Sequence, residues 1–190
     1  EGERLCLQYR DVHGLPCSIL RFFNVYGPRQ SAQSEYASVI PRFLELCMAL
    51  KSPAVYGDGE QSRDFIFVGD VARALVETAK HADRISGPYN VCTGQSTSLN
   101  SLLSELGVAL GTQPLPTHTA PVAGDIKHSK GDPRALLHAL SAHSELKITD
   151  LRRGLAQTIS WYRTKCQIPV TASPELVLPS PNPPAVALLH

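Results

Sequence analysis

The sequence has no apolar run approaching the roughly 20 residues that a membrane-spanning helix requires, and no charged start followed by an apolar core of the signal-peptide kind. Membrane insertion and secretion are therefore not expected. Excess charge of either sign is also missing, with 18 Lys and Arg against 17 Asp and Glu and a net charge of +1. Such a balance supplies no broad field for steering nucleic acid or an anionic membrane surface. The five cysteines, Cys6, Cys17, Cys47, Cys92 and Cys166, are odd in number and never spaced as Cys-x-x-Cys. A disulfide framework and a structural zinc site are both excluded as expectations, leaving reduced, mostly buried thiols suited to the cytoplasm. The histidines, including His128 in a loop, show no metal-ligand spacing, and His128 reads as an exposed polar residue.

The chain of 190 residues is long enough to bury a substantial core. Leu5, Cys6, Tyr9 and Val12 recur at helical spacing before Gly14, which predicts a helix from Glu1 to His13. Cys17 to Phe23 is β-branched and aromatic and reads as a buried strand of a parallel sheet. Asn24 to Gln30 reads as the loop leaving its carboxyl end, where open α/β sheets bind ligands. A helix is expected from about Ser38 to Leu50, with Val39, Phe43, Leu46 and Leu50 on its apolar face and Pro41 in the first turn.

Ala54 to Tyr56 and Arg63 to Val68, separated by the turn residues Gly57-Asp58-Gly59, suggest a hairpin. Asp70 is expected to cap a helix reaching about Ala82, with Val71, Leu75 and Ala79 buried. Pro88 to Cys92 reads as a strand and Leu99 to Leu110 as an amphipathic helix. Residues 111 to 131 read as a loop with one short strand. Two further helices are expected behind Asp132 and Asp150, the last carrying Leu151, Leu155, Ile159 and Tyr162 on one side. Alternation of strand and helix gives an α/β fold class. From residue 168 the prolines forbid regular ladders, so 168–190 is expected to be a disordered tail.

Two residues have a chemical logic of their own. Asn24, at the end of a strand, can fix a polar ligand through its amide, or it can satisfy its own turn. Arg63 offers a guanidinium fork matched to phosphate oxygens, or it pairs with Asp64 or Glu60 at the surface.

The string Arg21-Phe22-Phe23-Asn24-Val25-Tyr26-Gly27-Pro28-Arg29-Gln30 resembles the NAD-dependent epimerases and dehydratases of nucleotide sugars, which are extended short-chain dehydrogenases. Similar segments follow in the same order: Val55 to Asp70, Tyr89 to Gly94 and, more weakly, Gly124 to Ser129. The resemblance covers roughly residues 1 to 165, and the UDP-glucose and UDP-N-acetylglucosamine 4-epimerases are the nearest members. It implies the carboxyl-terminal part of a Rossmann-type enzyme with its small substrate-binding subdomain. Residues 1–34 would end the Rossmann-type domain, and 35–167 would be mainly the nucleotide-sugar-binding part with returning sheet strands.

The resemblance further implies that Asn24 and Arg63 hold the diphosphate. Val39, Ala54, Val55 and Tyr56 would line the nucleoside base, and Phe22 and Phe23 would lie toward the nicotinamide of NAD. Asp125 falls where such enzymes carry Arg-Pro-Gly-Asp, but here the arginine position holds Val122. Losing one charge-assisted phosphate contact weakens binding roughly tenfold to a hundredfold, and Lys127 or Arg134 are the candidate replacements.

Neither a G-x-G-x-x-G turn nor, before Cys17, a Tyr-x-x-x-Lys pair occurs, so no catalytic residue is expected in this chain. Both are expected upstream of Glu1, where most of the NAD contacts would also lie. The expected complete protein is a cytoplasmic homodimer acting on a UDP-sugar as a 4-epimerase. A sugar-nucleotide dehydratase or UDP-glucuronate decarboxylase is the alternative, and a non-catalytic nucleotide-sugar-binding remnant is a third reading.

Overall fold

A computed structural model describes residues 1–33 and 38–166. The expected tail from 168, and the expected domain boundary between residues 34 and 35, lie outside the described residues. Along the chain run α1 (Gly2–His13), β1 (Leu20–Phe22), β2 (Asn24–Tyr26), α2 (Val39–Met48), β3 (Ala54–Tyr56), β4 (Ser62–Arg63) and β5 (Phe65–Phe67). Then follow α3 (Val68–Lys80), β6 (Tyr89–Val91), β7 (Thr97–Ser98), α4 (Leu99–Leu110), β8 (Thr117–Thr119), α5 (Arg134–Leu140) and α6 (Leu151–Cys166).

Among the described residues three of the four strand pairs are parallel, β1 with β6, β2 with β5 and β3 with β8, and β4 with β7 is antiparallel. The expected hairpin is therefore absent. β3 and β5 take partners far away in sequence, and Gln61 Nε2 donates to the Tyr56 carbonyl at 2.7 Å where ladder bonds were expected. Asn24 to Tyr26, expected as loop, is a strand because β5 supplies a parallel ladder from 40 residues onward. β1 is not buried as expected, since Arg21 and Phe22 are exposed.

β5 explains how the interior is arranged. All three of its residues are buried, which requires cover on both faces. Side chains alternate along a strand, so Phe65 and Phe67 enter one core while Ile66 enters another. The first core gathers Tyr26, Phe43, Leu44, Leu102, Leu106, Leu155 and Ile159 from β2, α2, α4 and α6. The second gathers Val71, Ala74, Val91, Leu136 and Leu140 from α3, β6 and α5. Inside the first, the Tyr26 hydroxyl donates to the Leu151 carbonyl at 3.4 Å, and burial pushes that phenol well above its ordinary pKa.

Helix ends follow their local chemistry. Gly14 closes α1 at φ 63°, a left-handed conformation that costs glycine little. Ser98 caps α4 by accepting from Ser101 N–H at 3.1 Å, and Asp150 accepts from Arg153 N–H at 2.9 Å at the start of α6. Asp132 accepts from Arg134 N–H at 3.0 Å at the start of α5.

Asp70 departs from expectation. It sits inside the first turn of α3, fully buried, and accepts from Thr149 N–H and Oγ1, both at 2.8 Å, and from Arg73. Its carboxylate thus ties α3 to the segment entering α6. The buried stripe of α3 is Val71, Ala74 and Thr78, because the helix is rotated so that Leu75 and Ala79 face outward. In α2 the stripe is likewise Ile40, Phe43, Leu44 and Cys47, and Leu50 lies beyond the helix with its side chain exposed.

Candidate functional site

The turn after β3 has Gly57 at φ 70° and Gly59 at φ 77°, both in the left-handed region that glycine enters freely. Asp58 Oδ1 accepts from Glu60 N–H at 2.9 Å and fixes the bend. The chain thereby returns through Gln61 to β4, placing Arg63 beside a cavity of about 450 Å³. Tyr56, Asp58, Gln61, Pro121, Val122, Asp125 and Lys127 contribute to its walls.

Arg63 Nη2 donates to Asp125 Oδ1 at 2.7 Å, and Arg63 Nη1 donates to the Ser62 carbonyl at 3.0 Å. The partner is Asp125, not Asp64 or Glu60. Asp64 points inward, fully buried, and its carboxylate accepts from Thr93 N–H at 2.8 Å, Thr93 Oγ1 at 2.7 Å, Gly94 N–H at 2.9 Å and Gly131 N–H at 3.3 Å. Four donors around one carboxylate stabilise a charge that burial alone would make costly. This residue anchors β4 and β5 to the loop after β6 and to the segment before α5. Sequence reading missed it, because an Asp beside an Arg suggests an ion pair; the adjacent wholly apolar Phe65 to Phe67 was the available sign that this stretch is interior.

Asn24 lies next to this anchor. Its backbone N–H and its Nδ2 both approach the Asp64 carbonyl, at 3.1 and 3.3 Å. The β2–β5 ladder thus ties Asn24 to the backbone of the residue after Arg63, but Asn24 does not line the cavity beside Tyr56 and Asp125. Tyr56, with half its surface exposed, lines the cavity, whereas the next residue inward, Val55, faces the opposite way and is wholly buried. Ala54 is exposed on β3 without lining the cavity, and Val39 is half-buried at the start of α2 against the first core. Phe22 is exposed at the end of β1, while Phe23 packs on the second core.

His128 is exposed as expected, yet it has a partner: Ser62 Oγ lies 2.9 Å from its Nδ1, and Ser96 Oγ donates to Ser62 Oγ at 2.8 Å. Ser62 N–H donates to the Lys127 carbonyl at 2.8 Å, holding segment 127–129 against β4. Of the two proposed replacements for an arginine at 122, Lys127 lines the cavity and Arg134 does not. Arg134 is exposed and bound to both carboxylate oxygens of Asp132, whose pKa it holds down at about 2. Among the described residues no cluster of three potential metal ligands occurs, and no helix is long and apolar enough to cross a membrane.

Residues 1–92 match the model of the NAD dependent epimerase/dehydratase family. The chain is 33% identical over 172 residues to a UDP-glucose 4-epimerase of Mycolicibacterium smegmatis, an alignment covering 87% of this chain and 51% of the relative. It resembles the solved UDP-N-acetylglucosamine 4-epimerase from Methanobrevibacter ruminantium M1, in complex with UDP-N-acetylmuramic acid, with a TM-score of 0.78 and 34% identity over 86% of this chain and 51% of that one. The UDP-glucuronic acid 4-epimerase from Bacillus cereus, solved with UDP-glucuronic acid and NAD, superposes with a TM-score of 0.72 at 27% identity over 86% and 50% of the two chains. The chain thus spans about half the length of the curated relatives it matches. Parallel strands alternating with helices, the matched model and these likenesses place the chain in the NAD-dependent epimerase/dehydratase family, among the extended short-chain dehydrogenases of Rossmann type.

Proposed function

We propose that this chain is the nucleotide-sugar-binding part of a UDP-sugar 4-epimerase, with Tyr56, Arg63 and Asp125 gripping the nucleotide and Asn24 set beside the diphosphate. The observation that carries the reading is the cavity beside β3 and β4, lined by the Tyr56 ring, by Asp125 with its Arg63 partner, and by Lys127, which forms no ion pair among the described residues. A ring half open to solvent offers a stacking surface for a base. A guanidinium held by Asp125 and the Ser62 carbonyl is preoriented, so little side-chain freedom is lost when phosphate oxygens arrive. Ala54 and Val39 act in this reading as supports of the wall rather than as contacts.

The described residues do not form a cradle for NAD. Phe22 and Phe23 supply an apolar edge, but no glycine-rich turn brings backbone N–H groups of a helix start to a pyrophosphate. Turnover belongs to a protein that also supplies the cradle and the acid–base pair. A dehydratase or decarboxylase would use the same grip and differ in the product released.

Calorimetric titration of the 190-residue chain tests the proposal. UDP-glucose is expected to bind saturably and NAD not to bind; saturable NAD binding, or no heat with UDP-glucose, contradicts it.

A further inference from the structure

We infer that Lys127 supplies the positive charge that makes this cavity selective for a diphosphate, a conclusion that rests on the nucleotide-sugar reading above. Four charged side chains belong to the site: Asp58, Arg63, Asp125 and Lys127. Arg63 is already engaged with Asp125, and Asp58 holds its own turn through the Glu60 N–H. Lys127 forms no ion pair among the described residues, although it lines the same wall as both carboxylates.

The balance of charge decides the matter. With the Lys127 side chain in place, two cations offset two carboxylates and the cavity is neutral; with Lys127 removed, the cavity is net negative and repels a ligand that carries two phosphates. The position of Lys127 is set by the backbone, not by chance contact of a long side chain. Ser62 N–H donates to its carbonyl at 2.8 Å, and Ser129 N–H donates to the Ser62 carbonyl at 3.0 Å. Lys127 therefore rides on a segment bonded to the residue immediately before Arg63, and the two cations are carried on adjoining backbones. A larger groove of about 530 Å³ along α4 has no charged side chain in its lining and makes no comparable offer to an anion.

The test compares binding of UDP and of uridine to the 190-residue chain and to its Lys127→Gln and Lys127→Arg variants by NMR titration. Lys127→Gln is expected to raise the Kd for UDP roughly tenfold to a hundredfold while leaving uridine unchanged, and Lys127→Arg to retain most of the UDP affinity. Equal UDP binding by wild type and Lys127→Gln overturns the inference and leaves the nucleotide reading standing. Equal weakening of UDP and uridine also overturns it, because Lys127 would then shape the cavity instead of meeting the phosphates. Failure of the wild type to bind either compound overturns the nucleotide reading, and this inference with it.

Discussion

Asp64 concentrates more of the site's architecture than any residue that faces the cavity. Its carboxylate receives three backbone N–H groups and one hydroxyl, and its own carbonyl receives Asn24. Replacing it by asparagine keeps the volume but turns an NH₂ toward N–H donors, leaving buried donors unpaired. A loss of about 2–3 kcal/mol is expected for Asp64→Asn, read as a shifted urea midpoint with an unchanged slope. A change within about 0.5 kcal/mol, the range of ordinary surface substitutions, contradicts this role.

The same carboxylate acts on Cys92, whose thiol is pushed up to about 11, chiefly by burial and secondarily by the charge of Asp64. An unfolded cysteine ionises near pH 8.5. Because the folded value is the higher one, the stabilisation is complete below about 8.5 and is lost as pH rises toward about 11. At pH 8 a thiol reagent is expected to modify exposed Cys6 quickly and to reach Cys47 and Cys92 only on unfolding; rapid modification of Cys92 in the native chain contradicts the assignment.

At the scale of elements, contact between α6 and the β2–β5 pair sets a packing limit. A methyl group at Gly154 would press on the Tyr26 ring, with Cζ at 2.8 Å, and on Phe67 Cδ2 at 3.2 Å. Alanine gains about 1 kcal/mol of helix propensity over glycine, whereas overpacking a closed core costs about 1–3 kcal/mol. Tyr26 is 1% exposed and has no room to yield, so Gly154→Ala is expected to lower Tm; a raised Tm contradicts the packing described.

Helices were legible in the sequence because their signals are local: Ser98, Leu99 to Leu110 and Gly111 carry the cap, stripe and stop of α4 within one stretch. Strand partners were not. Asn24, Gly27 and Pro28 look like loop residues, and only a ladder from β5 makes Asn24 to Tyr26 a strand. Gly57 and Gly59 do form the expected turn, but β8 rather than β5 pairs with β3. Rotational phase was also hard to read, since Val71, Ala74 and Thr78 outrank the bulkier Leu75 on α3 once α5 and β6 decide which side is covered.

Across the whole molecule, no strand pair extends beyond two strands among the described residues, and two-stranded pairs are marginal by themselves. Stability therefore comes from α2, α4 and α6 closing over one side of β5 and α3 and α5 over the other. α1 contributes no buried residue; Leu5, Tyr9 and Val12 form the expected apolar stripe but lie open, with Arg21 to Glu3 as its tie to β1.

The candidate site was legible in part for the same reason as the helices. Arg63 and Tyr56 lie in one continuous stretch, and Asp125 joins them from 62 residues away through a salt bridge that spacing could not reveal. Mapping amide NMR shifts during titration of the chain with UDP tests the central claim most directly. The account predicts that the largest shifts cluster at Tyr56 to Asp58, Arg63, Asp125 and Lys127; shifts confined to the α4 groove, or none at saturating nucleotide, contradict it.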